Sequence, residues 1–152
     1  MSRFSSETEQ LLKRAGWFEG RCDSSQVEAW AQEMASLDGF KMTPIARSVL
    51  KEFGGLHIKS HGPGLECARS DIEINPLLAK CEEDRFFAFS CFKGKQVFPL
   101  GEAVVGHMFA AIDEDGKVYL VMQEVQWVAN SFDAALETLL LGMGSHVIET
   151  AA

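Results

Sequence analysis

Met108-Phe109-Ala110-Ala111-Ile112-Asp113-Glu114-Asp115-Gly116-Lys117-Val118-Tyr119-Leu120-Val121-Met122 decides the fold class. Two short apolar runs, Met108 to Ile112 and Lys117 to Met122, flank a polar cluster ending in glycine. That is the composition of a hairpin turn between antiparallel strands. Outward from it, Val97 to Leu100 reads as a strand before the hairpin and Val125 to Ala129 as one after it. Ser131 then caps a helix from Phe132 to Leu141 whose apolar residues include Phe132, Ala135, Leu136, Leu139 and Leu140, and Gly142 ends it.

Towards the amino terminus the period changes to that of helices. Ser6 with Glu9 and Asp23 with Gln26 are capping-box patterns, the first opening a short helix that Gly16 stops. Trp17 and Phe18 follow that stop and are expected to pin the connection onto the core. Val27, Trp30, Ala31 and Met34 recur at the spacing of one helix face. Thr43-Pro44 caps and starts a third helix through Phe53, closed by Gly54-Gly55. Leu56 to Ser60 alternates as a half-buried strand does, and Leu65 to Ile74 is a weaker strand. Asn75-Pro76 can open another helix carrying Leu77, Leu78, Cys81, Phe86, Phe89 and Phe92 before Gly94. Helices first, strands next and a helix last is an α+β order: a mainly antiparallel sheet with N-terminal helices and a C-terminal helix packed on it. The expected organisation is a single domain over residues 1–152.

Composition narrows the function classes. No apolar run approaches the ~18 residues of a spanning helix, and Met1 to Glu7 carries acid early without an apolar stretch. A signal peptide is therefore not read, and the expected location is cytoplasmic. Cys22, Cys67, Cys81 and Cys91 form no CxxC pair and are expected to be reduced, buried thiols. Charge is divided unevenly: residues 1–100 carry 14 acids against 13 bases, or −1, and residues 101–152 carry 8 acids against Lys117 alone, or −7. Nucleic acid as a ligand is disfavoured, because phosphate binding needs a positive footprint. A basic protein partner is favoured, since an acidic field steers its encounter.

Catalytic chemistry finds little purchase. His57, His61 and Cys67 are potential zinc ligands, but on a strand two histidines four residues apart stand about 13 Å from each other. No cysteine lies in a local nucleophile signature. Asp113, Glu114 and Asp115 lack the length and spacing of a calcium loop and read as a solvated turn. No enzyme, metal or cofactor is expected. The candidate partner-binding residues are Glu102, Asp113, Glu114, Asp115 and Glu124, extended by Asp71 and Glu73. Trp127 reads either as core or as an aromatic anchor among these acids.

Five motifs occur in order from about Leu11 to Gly142. They are Gly16-Trp17-Phe18, Phe53-Gly54-Gly55-Leu56, Pro99-Leu100-Gly101-Glu102, Ile112 through Tyr119, and Ser131-Phe132-Asp133-Ala134-Ala135-Leu136 running on to Gly142. Each alone is a turn, a cap or a helix end; in this order they resemble the SUKH superfamily of bacterial immunity proteins, in its third subgroup. Ala129-Asn130 stands where that resemblance would place a glycine before the last helix. The resemblance implies a SUKH-like α+β domain that binds and neutralises a cognate toxin delivered between competing bacteria, commonly a nuclease or another nucleic-acid-modifying enzyme. It carries over no catalytic residue. The alternative is an intracellular adaptor or regulatory domain of the same fold without a toxin partner.

Overall fold

The computed structural model describes residues 3–38, 40–60, 62–79, 82, 86, 94, 96–103, 108–122, 124–143 and 146–150, with backbone alone at 37, 38, 124 and 146–150. Three helices come first: α1 (Ser6–Arg14), α2 (Ser24–Asp38) and α3 (Pro44–Phe53). The Ser5 hydroxyl, one residue earlier than the sequence suggests, accepts from the Thr8 amide and caps α1. The Asp23 carboxylate accepts from the Gln26 amide at the start of α2, and Thr43 does the same for Ala46 in α3. Each cap satisfies a donor that helical geometry leaves unpaired.

Seven strands follow among the described residues: β1 (His57–Ile58), β2 (Ile72–Glu73), β3 (Val97–Ala103), β4 (Met108–Asp113), β5 (Val118–Val121), β6 (Glu124–Ala129) and β7 (His146–Thr150). They form one antiparallel sheet in chain order, β1 to β7, with α4 (Phe132–Leu140) between the last two strands. The arrangement is α+β, as the order of periodicities implies. Leu56 to Ser60 and Leu65 to Ile74 shrink to two-residue strands, and β7 has no counterpart in the sequence reading. The helix expected from Asn75-Pro76 begins as a 3-10 turn, Pro76–Ala79, opened by the Asn75 side chain accepting from the Leu77 amide. Phe86 further on is buried, its amide bonded to the Glu82 carbonyl; Cys81, Phe89 and Phe92 lie outside the described residues.

Two aromatic clusters anchor the core. Phe4 meets Trp17 and Phe53 edge to face, and Phe53 meets Phe132 of α4 at 5.0 Å. Phe40 meets Phe86 and Phe98, and Phe86 meets Phe109 of β4. The first cluster ties the N-terminal segment to α3 and α4; the second ties the connection after α2 to the sheet. Each fully buried ring contributes about 1.5–3 kcal/mol. Phe18, expected on the core beside Trp17, is instead 58% exposed. No helical or strand period continues past Gly16 to fix its direction, so only Trp17 turns inward.

The end of α4 is closed by chain from far away. The amides of Leu65, Cys67 and Ser70 donate to the carbonyls of Leu141, Gly142 and Leu139, and the Ser60 hydroxyl donates to Leu140. These bonds satisfy carbonyls that a helix C-terminus leaves without partners. They also hold Cys67 at the surface, where its thiol donates to the Met143 carbonyl. Cys67 and Cys22 are both exposed, which corrects the expectation of buried thiols; Cys81 and Cys91 lie outside the described residues.

Candidate functional site

Register lines the acids up in one place. His57 pairs with Glu73, Glu73 with Glu102, Glu102 with Phe109, Phe109 with Val121 and Val121 with Val125. Directly opposed residues share a face, so these six form a row across β1 to β6, acidic at one end and buried at the other. Gly101 makes the acidic end possible. It lies at a register shift in β3 with φ of 153°, and a Cβ there would come within 1.9 Å of the Glu73 carbonyl oxygen. With glycine at that point, β2 closes on β3 and the Glu73 and Glu102 side chains stand opposite each other.

Electrostatics at this end are unbalanced. Burial pushes the Glu102 carboxyl above its usual range, and the facing Glu73 charge adds to the effect. His57 Nδ1 lies 3.5 Å from a Glu73 oxygen, with both side chains about half exposed. Like charges placed directly opposite in a sheet are destabilising. Asp71, next to β2, accepts from the Ser60 amide at 2.7 Å, so its carboxylate already serves the turn there.

The hairpin acids occupy a separate place, about 14 Å from the Glu102 row along β4. Glu114 and Asp115 are exposed at the turn, but Asp113 is 0% exposed. Its carboxylate accepts from the Asp115 amide at 2.9 Å, the Lys117 amide at 3.0 Å and the Tyr119 hydroxyl at 2.9 Å. Asp113 therefore holds the turn together and cannot present its charge to a partner, which corrects its placement on a solvated contact surface. Burial and this hydrogen bond both push the Tyr119 phenol above its usual range.

Trp127 is half-buried, packed against the core and opposite Tyr119 and His146 in the sheet. Glu124 opens β6 opposite Thr150; its side chain lies outside the described residues. The eight expected contact residues thus divide into Glu73 with Glu102 and Asp71 at one end of the sheet, Glu114 with Asp115 at the turn, Trp127 and Glu124 on β6, and Asp113 in the interior.

A groove missed at the sequence level runs beside the turn. It lies between α3, the β4–β5 turn and the start of α4, and encloses about 330 Å³. Gly116, with φ of 96°, lets the turn approach α3, since a Cβ there would stand 2.9 Å from the Ile45 side chain. Arg3 lies along the groove. Its guanidinium donates to both Glu52 oxygens at 2.6 and 2.9 Å and to both Asp133 oxygens at 2.7 and 2.9 Å. Hydrogen bonds to Asp133 and then Glu52 raise the Arg3 pKa. Burial alone would raise Glu52, but the bonds it accepts from Arg3 and Trp17 outweigh this and hold it below its usual range. Partners 130 positions apart leave no local trace in a sequence, so only the fold brings this cluster together.

Among the described residues, no group of three His, Cys, Asp or Glu side chains could hold a metal ion, and no helix is long and apolar enough to cross a membrane. No curated protein and no solved structure shows significant similarity to the chain. The family model for SUKH-3 immunity proteins, by contrast, matches residues 4–142, from the buried Phe4 to the Gly142 that follows α4. The chain belongs to the SUKH-3 immunity protein family.

Proposed function

We propose that this chain neutralises a cognate toxin domain, a nuclease or another nucleic-acid-modifying enzyme, by covering the basic groove in which that enzyme holds its substrate. Membership of an immunity protein family over residues 4–142 is the observation that carries this reading. The placement of charge supports the mechanism: an enzyme acting on nucleic acid presents positive potential, and residues 101–152 carry a net charge of −7. The chain acts by binding in the cytoplasm, as one domain, without catalysing a reaction.

The contact surface in this reading includes Glu73 with Glu102 and Glu114 with Asp115, with Trp127 as the aromatic anchor. Asp71 and Glu124 lie beside it. Opposed Glu73 and Glu102 repel each other in the free chain, and a cationic side chain from the partner relieves that repulsion on binding.

Expressing the chain together with a candidate toxin domain, such as one encoded by a neighbouring gene, tests the proposal. Cells survive, and the two proteins co-purify. Lysine at both Glu73 and Glu102, or at both Glu114 and Asp115, slows association most at low salt, because exposed charges act mainly on the encounter rate. Survival without the chain, or kinetics indifferent to all four replacements, contradicts the mechanism.

A further inference from the structure

We draw no further inference here: the strongest candidate, the opposed Glu73 and Glu102 carboxylates on β2 and β3 with His57 beside them, is an acidic cluster that belongs to the contact surface already proposed, and no second observation there points to a ligand.

Discussion

Replacing Asp113 by alanine should cost far more than any other change in the hairpin turn. The carboxylate accepts three hydrogen bonds between 2.9 and 3.0 Å and is completely buried. Each bond contributes about 1 kcal/mol net, and the Tyr119 hydroxyl left behind, itself buried, adds about 1–3 kcal/mol for an unsatisfied donor. The terms are not additive, so the expected loss is about 3–5 kcal/mol, out of a total stability of about 5–15 kcal/mol. For a chain of this length that corresponds to a fall in Tm of roughly 6–20 °C. Denaturant unfolding of Asp113→Ala against Glu114→Ala measures it, with the slope unchanged and only the midpoint moved. Glu114, exposed at the same turn, should stay within about 0.5 kcal/mol of wild type. Tyr119→Phe provides the cross-check, since its effect should largely vanish in the Asp113→Ala background. The raised Tyr119 pKa adds a pH signature: its contribution is complete below the ordinary tyrosine value of about 10 and is lost as pH rises from there. A loss under about 1 kcal/mol for Asp113→Ala, or equal losses at Asp113 and Glu114, would refute the reasoning.

Three further outcomes are expected. Glu102→Gln should raise stability by a few tenths to about 1 kcal/mol by removing the charge opposed to Glu73. Because the folded Glu102 pKa is raised, that gain is absent below the ordinary glutamate value of about 4.3 and grows as pH rises above it; denaturation curves at pH 4 and pH 7 check both parts. A fragment ending at residue 130 should show no cooperative melting transition, since it lacks the buried Phe132, Leu136, Leu139 and Leu140, each contributing about 1.5–3 kcal/mol. Trp127→Ala should remain folded, lose about 1–3 kcal/mol for a half-buried ring and, if the proposed contact surface holds, raise the dissociation rate from the proposed toxin partner; unchanged dissociation removes the anchor role.

Strands β3 to β6 were legible because each is a compact apolar run bounded by glycine or acid, and the hairpin turn gave their direction. β1 and β2 were harder: two residues each carry almost no period, and their pairing depends on Gly101 making room in β3. β7 offers only Val147-Ile148 as an apolar signal, too short to separate from a loop. The acidity of the carboxy-terminal third was plain, yet its geometry was not. Asp113 looked like one of three solvated acids, although aspartate opening a turn commonly bonds the backbone beyond it, and Tyr119 six residues on was its available partner. Glu73 and Glu102 could be singled out as acids, but their opposition is a matter of register. The Arg3 cluster was beyond any local reading.

The bonds from Arg3 and Ser5 to Asp133 and Glu137 span 130 and 132 positions. During synthesis at about 5–20 residues per second, the second partner of each bond emerges roughly 7–26 s after the first. Through that interval the N-terminal helices lack the strap that closes them against α4, and the aromatic cluster around Phe53 has one side uncovered. The strap therefore closes only after α4 has been made, and the packing around Phe53 is complete only from that point on.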